Sequence, residues 1–432
     1  MLFAEQPSAA VCFDSCMTYD VDNIRSHFPS LASGIAHFDG PGGTQTPLLV
    51  GHAISNTLTG PLSNRGQGVR SEVNADDAVW QFRSAMADLL AADPRGIVYG
   101  RSATQLTYDF SRHLAKTWGP GDEIVVTRLD HDSNIRPWIQ AAAQVGATVR
   151  WAEFDPATGE LPASAIAAVL SDRTRLVAVT AASNLIGTTP PVSEIAALAH
   201  SVGALVYVDG VHYTAHASVD VTALGADFFV CSPYKFLGPH CGVLAADPDV
   251  LALLHPDKLM PSTDAVPERF EFGTLPYEIM AGVTAAVDFL ATLGNSGDTG
   301  IDAAGLGYAD PRSRRERLVA SSAELEEHEN LLRAILDAGV AALPGVTIYS
   351  RAADRTPTLL VEFDGIDSQE LARFLASRDI AAGASSFYAL EASIALGLGE
   401  AGALRIGLAP YNTVDDIDRL LAGLSEFVTA GQ

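Results

Sequence analysis

The 432-residue chain combines a hydrophobic fraction of 48% with only 18% charged residues, which is the composition of a folded protein and argues against disorder. Its formal net charge of −25 argues against binding to nucleic acid or to an anionic membrane surface, because Lys and Arg drive both interactions. No apolar run approaches the roughly 20 residues of a membrane span, so we expect a cytoplasmic protein.

Residues 1–30 are expected to form an N-terminal arm. This arm is acidic and lacks the basic start and apolar stretch of a signal peptide. Cys12 and Cys16 are spaced as C-x-x-x-C, but no second Cys/His pair with zinc-site spacing accompanies them, so we expect no metal. Four cysteines in the whole chain do not form a disulfide framework, and this favours a reducing compartment.

Residues 31–293 alternate short apolar runs with Ala-rich amphipathic stretches, a pattern typical of a parallel α/β sheet covered by helices on both faces. We predict strands at residues 97–99, 123–127, 148–152, 176–180, 205–208, 227–231 and 242–245. We predict helices at residues 79–91, 134–145, 162–170, 192–202 and 277–293. The pattern therefore predicts a large, doubly wound, mostly parallel domain.

Residues 294–310 are rich in Gly, Asp and Ser and are predicted to be a linker or a surface excursion. Beyond them, residues 311–432 are expected to form a smaller C-terminal α+β domain. Its predicted helices are at residues 313–338, 368–377 and 414–428, and its predicted strands are at residues 346–349 and 358–363.

The most informative constellation in the large domain is an acidic residue and a lysine that follow two predicted strands. Asp209 ends one strand, and Lys235 follows the next in the sequence Ser-Pro-Tyr-Lys. Because ligands bind beyond the carboxyl ends of parallel strands, both groups should face one crevice. The chain has only three lysines. A lysine that forms an imine and a carboxylate that keeps a pyridine nitrogen protonated are what pyridoxal phosphate (PLP) requires, so we predict a Schiff base on Lys235.

Eight segments of the chain are informative together. They are FDGPGGTQTP from Phe38, GRSATQ from Gly100, RLDHDSNIRPW from Arg128, ASNLIGTTPP from Ala182, VDGVH from Val208, SPYKFLGP from Ser232, RFEFGT from Arg269 and LRIGLAPYNT from Leu404. With these segments the chain resembles, over residues 35–424, the class V aminotransferase family of PLP fold type I, and within it the cysteine desulfurase and selenocysteine lyase group.

This resemblance implies a role for each of the matching residues around the cofactor ring. Lys235 would carry the Schiff base, and Asp209 would pair with the pyridine nitrogen. His131 would cover the face of the ring and could also move protons, whereas Asn184 and His212 would contact the phenolic oxygen.

The resemblance also implies phosphate contacts from Ala103 and Thr104 at the start of a helix, and from Ser232 and Tyr234. Free N–H groups and the helix dipole suit that place to an anion. Thr274 matches a position that reaches the phosphate of the neighbouring subunit, which implies a homodimer with shared sites.

The substrate implied by the resemblance is an amino-acid-like small molecule whose α-carboxylate is bound by Arg405, since a planar guanidinium suits bidentate binding. Desulfurases of the group carry a cysteine on the loop that corresponds to residues 383–391. Here the loop reads GASSFYALE, and Tyr388 stands at or near the place of that cysteine. Persulfide-forming desulfurase activity is therefore not expected, and Tyr388 becomes a candidate substrate contact.

Chemistry without a sulfur nucleophile leaves three reactions after the Cα proton is removed. We rank β-elimination from an S-substituted cysteine or its sulfoxide first, which would make the protein a C–S lyase. Epimerisation, as in isopenicillin N epimerase-like proteins, and transamination are the alternatives. A non-catalytic PLP-binding scaffold is disfavoured because Lys235, Asp209, His131 and Arg405 are all retained.

Overall fold

The computed structural model of the protein describes residues 19–294 and 311–430. Its strands are β1 (Ala36–His37), β2 (Ile97–Gly100), β3 (Glu123–Thr127), β4 (Thr148–Ala152), β5 (Thr174–Thr180), β6 (Leu205–Asp209), β7 (Phe228–Cys231), β8 (Gly242–Ala246), β9 (Val346–Ile348), β10 (Thr358–Phe363), β11 (Ile380–Ala381), β12 (Gly383–Ser385) and β13 (Ala403–Gly407). Its helices are α1 (Val21–Ser26), α2 (Leu48–Thr59), α3 (Arg70–Leu90), α4 (Ala103–Ala115), α5 (Arg136–Val145), α6 (Ala163–Ala167), α7 (Val192–Ser201), α8 (Pro248–Ala252), α9 (Tyr277–Leu290), α10 (Arg314–Ala341), α11 (Ser368–Ala376), α12 (Leu390–Ala395) and α13 (Val414–Ala430). Cys12, Cys16 and all of the predicted linker except Gly294 lie outside these residues.

The largest sheet has seven strands in the spatial order β2-β8-β7-β6-β5-β3-β4. The pairs from β4 to β7 are parallel, whereas β8 runs antiparallel to both β7 and β2. All seven strands predicted for residues 31–293 are present, and the prediction of a mostly parallel α/β sheet is confirmed. The carboxyl ends of β5, β6 and β7 consequently lie at one edge of the sheet.

Helices cover both faces of this sheet, as its apolar strands require. In β6, Tyr207 faces one layer, where its ring packs against Trp138 of α5 at 4.8 Å between centroids. The neighbouring Val206 and Val208 face the opposite layer, which includes Ile195 of α7. Successive residues of a strand point to opposite faces, so a strand buried on both sides has apolar residues at nearly every position.

Gly210, directly after β6, allows the carboxyl end of β6 to pack closely against β7. A Cβ at Gly210 would lie 1.9 Å from the ring of Phe229 on β7, so only a residue without a side chain fits. The Phe229 ring thereby remains in the hydrophobic core. This close packing fixes the position of the Asp209 carboxylate at the end of β6.

The smaller sheet has the order β12-β13-β10-β9, and all of its pairs are antiparallel. Leu336 of α10, Leu375 of α11 and Leu424 of α13 form its core with Ile406 of β13. The short strand β1 pairs with β11, so a segment from the start of the chain also joins this part of the structure. The exact limits of the arm, the two domains and the linker stay a prediction.

Several elements begin or end where the apolar pattern alone does not show it. Helix α3 begins at Arg70 and not near residue 79, because the Glu72 carboxylate accepts hydrogen bonds from the N–H groups of Gly68 (2.7 Å) and Val69 (3.3 Å). These bonds satisfy N–H groups at the helix start and compensate for its polar first turns.

Within the described ranges, no helix is long and apolar enough to cross a membrane.

Candidate active site

A pocket with an empty volume of about 490 Å³ lies at the carboxyl ends of β5, β6 and β7, against the first turn of α4. Its walls are formed by Ser102, Ala103, Thr104, His131, Ser133, Thr180, Ala182, Asn184, Asp209, Val211, His212, Ser232, Tyr234 and Lys235. The structure thus brings together nine of the twelve residues predicted from the sequence.

Lys235 and Asp209 are both buried in this pocket. Burial lowers the pKa of Lys235 from 10.5 to about 7, and the nearby positive charge of Arg405 adds to that effect, while Asp209 opposes it. Burial likewise raises the pKa of Asp209 to about 6, although the N–H of Val211 (2.9 Å) and Lys235 favour its charged form. Near neutral pH a large share of Lys235 is therefore an uncharged amine, and its Nζ donates a hydrogen bond to the Pro41 carbonyl.

Two buried polar atoms of the pocket walls have no hydrogen-bond partner. One is Asn184 Oδ1, whose own Nδ2 donates to the Phe387 carbonyl at 2.9 Å. The other is His212 Nδ1, whose Nε2 lies 2.9 Å from the hydroxyls of Thr356 and Thr358. Buried polar atoms are normally paired, so both atoms are available to bind a polar group of a ligand. The pocket fits the phenolic oxygen of PLP in this respect.

His131 is held as a neutral imidazole at the pocket wall. Its Nδ1 accepts hydrogen bonds from the Ser133 N–H (3.0 Å) and hydroxyl (2.7 Å), so the ring proton is on Nε2. Burial lowers the pKa of His131 to about 3, and the positive charges of Lys235 and Arg405 act in the same direction. A neutral ring of fixed orientation can cover a cofactor ring or exchange a proton through Nε2.

A buried carboxyl group, which was not predicted from the sequence, supports the turn that carries His131. Asp130 Oδ1 accepts a hydrogen bond from Asn134 Nδ2 at 2.7 Å, and Oδ2 accepts one from the Thr127 hydroxyl. Asn134 Oδ1 in turn accepts one from the Trp138 indole at 3.0 Å. Burial raises the pKa of Asp130 to about 8, so this group is mostly protonated at neutral pH.

The first turn of α4 and the residues after β7 form the side of the pocket suited to a phosphate. Ala103 and Thr104 are the first two residues of this 13-residue helix, and the Ser102 side chain accepts a hydrogen bond from Gln105 N–H at 3.1 Å. Ser232 and Tyr234 line the same pocket. Unpaired N–H groups and the positive helix end stabilise an anion at such a place.

Three predicted residues do not line this pocket. Arg405 is buried in β13 beside it, donates a hydrogen bond to the Asn184 carbonyl at 2.8 Å, and has its guanidinium 3.6 Å from the centre of the Phe387 ring. Tyr388 lies at the rim, 77% exposed, with its ring 5.7 Å from that of His131. Thr274 is exposed in a separate surface cleft with Phe272 and Pro276.

The remaining wall residues and the two threonines that contact His212 were not predicted. Ser133, Thr180 and Val211 follow or end elements already recognised, but single small residues carry no pattern in one sequence. Thr356 and Thr358 come from the smaller sheet, more than 140 positions away from His212. Only the packing of the two sheets brings them to the pocket.

The cysteines of the described residues are unsuited to nucleophilic chemistry. Cys231 and Cys241 are free and buried, and burial raises the pKa of both thiols. A thiol acts as a nucleophile in its ionised form, so both are inert at neutral pH. Between residues 19 and 294 and between 311 and 430, no group of three or more His, Cys, Asp or Glu side chains is arranged to hold a metal ion.

Comparison with known families and relatives gives a consistent picture. The family model described as Aminotransferase class-V matches residues 36–300 and 319–420. The chain is 32% identical over 415 residues to protein MT3887 of Mycobacterium tuberculosis, with 95% of this chain and 99% of the relative covered. It is 30% identical over 419 residues to a probable cysteine desulfurase of Pseudomonas aeruginosa, with 93% and 96% covered.

Solved structures show the same fold. The cysteine desulfurase CsdA (S-sulfonic acid) of Escherichia coli superposes with a TM-score of 0.81 at 24% identity, and the match covers 95% of this chain and 99% of that one. A C-DES mutant with glycine covalently linked to its PLP cofactor gives 0.74 at 21% identity, covering 93% and 99%. The predicted PLP fold type I architecture is confirmed.

Proposed function

This chain belongs to the aminotransferase class V family of PLP-dependent enzymes, and on that premise we propose that it catalyses β-elimination from an S-substituted cysteine or its sulfoxide. The observation that carries the proposal is a buried lysine with a pKa near 7 in a pocket that has no accessible thiol among the described residues. Relatives named as desulfurases act, by that name, on cysteine. Compared with these desulfurases, this chain has no cysteine in the loop of residues 383–391, but it keeps Lys235 as the proposed base and Arg405 as the proposed carboxylate-binding group.

Residues of the pocket would hold each part of the cofactor. Asp209 would pair with the pyridine nitrogen, and Asn184 Oδ1 with His212 Nδ1 would contact the phenolic oxygen. The first turn of α4 and Ser232 would bind the phosphate. When bound, PLP supplies an aldehyde for the lysine and a ring that accepts electrons from the substrate Cα.

The chain's own groups would then bind the substrate and move its protons. Arg405 would bind the α-carboxylate, since its guanidinium is already oriented by the Asn184 carbonyl and the Phe387 ring. Lys235, as an uncharged amine near neutral pH, would take the Cα proton. His131, with its proton on Nε2, can donate to a leaving sulfur atom. Asp209 would keep a proton at the ring nitrogen.

We also propose a homodimer in the cytoplasm. The exposed cleft with Thr274 and Phe272 supports a shared site, because Thr274 does not line the pocket of its own chain. Two free cysteines, Cys231 and Cys241, fit a reducing compartment.

The test is incubation of the PLP-loaded protein with S-methylcysteine, its sulfoxide and cysteine in deuterium oxide. Elimination releases pyruvate and ammonia together with methanethiol from S-methylcysteine, methanesulfenic acid from its sulfoxide or hydrogen sulfide from cysteine. Deuterium at Cα with racemisation and no pyruvate would establish epimerisation instead, and a keto acid without ammonia would establish transamination. Lys235→Ala is the control and should abolish every one of these reactions, whereas Lys116→Ala, at a surface ion pair, should abolish none.

A further inference from the structure

A backbone turn with two consecutive left-handed residues lies at the rim of the Lys235 pocket. Phe387 and Tyr388 have φ angles of 49° and 59°, and neither is glycine. The left-handed region is unfavourable for residues with a Cβ, so such a turn persists only where surrounding contacts impose it. The contacts that hold this turn therefore carry information about its use.

Hydrogen bonds attach the turn to two walls of the pocket. The Phe387 carbonyl accepts one from Asn184 Nδ2 at 2.9 Å, and the Tyr388 carbonyl accepts one from the Asp132 N–H at 2.7 Å. Asp132 follows His131, so the turn is joined directly to the segment that carries the imidazole. Neither bond involves the side chain of Tyr388, whose ring stays exposed at the entrance.

An ion-pair cluster three residues further on reinforces this attachment. Glu391 contacts Arg136 Nη2 at 2.6 Å through one oxygen and Arg128 Nη1 through the other, and only 13% of its side chain is exposed. Arg136 also pairs with Asp132 at 2.8 Å, and Arg128 lies over the Trp151 ring at 4.5 Å. Both arginines flank the His131 turn in sequence. One carboxylate thus joins the loop to both ends of that turn.

We infer that Glu391, together with Arg128 and Arg136, is a positioning residue that holds the Phe387–Tyr388 turn as a fixed wall at the substrate entrance. A networked ion pair that is largely shielded from water is held more firmly than an isolated surface pair. The loop that carries a mobile nucleophile in a persulfide-forming enzyme is, in this protein, fastened at its end.

The fastened turn determines how Arg405 meets a substrate. The Phe387 ring lies 3.6 Å from the Arg405 guanidinium, so the turn sets the plane of the group proposed to bind the α-carboxylate. A displaced turn would remove this ring and leave the guanidinium free to rotate. Carboxylate binding should then weaken, while binding of the cofactor itself should not change. This inference rests on the proposed function only in taking the pocket as an amino-acid site.

The experiment compares Glu391→Gln, Arg136→Gln and the double variant in the PLP-loaded protein. Glu426→Gln, which breaks the exposed Arg378 pair elsewhere, is the matched control. Glycine is the probe because it has no β-substituent to eliminate, and its dissociation constant is measured from the change in cofactor absorbance. Hydrogen exchange is measured by mass spectrometry on peptides that cover Asp132 and Phe387.

Each single variant should weaken glycine binding about tenfold and accelerate hydrogen exchange in both peptides at least about tenfold. The cofactor absorbance in the absence of glycine should not change. The double variant should lose little more than either single one, because both remove the same cluster. Exchange and glycine binding that match the Glu426→Gln control would overturn the inference. If the parent protein binds no glycine, the proposed function fails, and the exchange rates still decide whether Glu391 holds the turn.

Discussion

Replacing Lys235 with methionine should stabilise the cofactor-free protein, because burial makes the charged form of this lysine costly. Its pKa falls from 10.5 to about 7 in the folded chain. A tenfold change in proton affinity corresponds to about 1.4 kcal/mol, so folding a protonated lysine into this pocket costs on the order of 4 to 5 kcal/mol. Methionine has a similar volume but loses the hydrogen bond to the Pro41 carbonyl, about 1 kcal/mol. The net gain expected at about pH 7 is roughly 3 kcal/mol.

The pH dependence provides the internal check on this reasoning. Between about pH 7 and pH 10.5 the unfolded chain binds the lysine proton and the folded chain does not. The stability of the parent protein should therefore rise with pH by about 1.4 kcal/mol per pH unit relative to the variant. Near about pH 9 the advantage of Lys235→Met should have fallen to about 1 kcal/mol.

The assay is urea unfolding of the cofactor-free proteins, followed by tryptophan fluorescence at about pH 7, 8 and 9, with equal protein concentrations because subunit association shifts apparent stability. Lys116→Met is the control, since Lys116 pairs at the surface with the exposed Asp257 and should change stability by less than about 1 kcal/mol. An advantage of Lys235→Met that does not fall between pH 7 and 9, or that the control reproduces, would refute the assignment of Lys235 as a buried, mostly neutral amine.

Three further predictions concern other residues of the site. Asp209→Asn should keep the cofactor but lower kcat by about 10²-fold or more, measured with whichever substrate turns over, because an amide cannot hold the ring-nitrogen proton. Above about pH 8, the Asp130→Asn variant should be more stable than the parent protein. The raised pKa of Asp130 makes the parent lose stability as the pH rises from about 4 to 8, and urea unfolding midpoints of both proteins across that range check the sign. If the dimer shares its sites, Thr274→Ala should weaken PLP binding, detected by dialysis, while the mass of the dimer measured by ultracentrifugation stays the same. Unchanged PLP retention would count against shared sites.

Much of the large sheet could be predicted from local patterns. The runs predicted at residues 123–127 and 205–208 are short, apolar and bounded by breaks; the first is a strand with those limits, and the second extends one residue further, to Asp209. The pattern was less informative where polar residues form regular structure. The first turns of α3 are polar, and their helical state depends on a Glu72 carboxylate that caps the N–H groups before them. Short strands of the smaller sheet, such as Gly383–Ser385, have too few residues to show a period.

Sequence by itself determined the chemistry-bearing pair of this protein. Asp209 and Lys235 each follow a strand of one parallel sheet, and strand direction alone requires them to meet at the same edge. The tertiary structure decided what surrounds that pair. Thr356 reaches His212, and Glu391 reaches Arg128 and Arg136, across more than 140 and 250 positions of the chain. Such contacts depend on how two separate sheets pack, and no periodicity along the chain records that packing. The protonation state of Lys235 likewise depends on its burial, which only the tertiary structure shows.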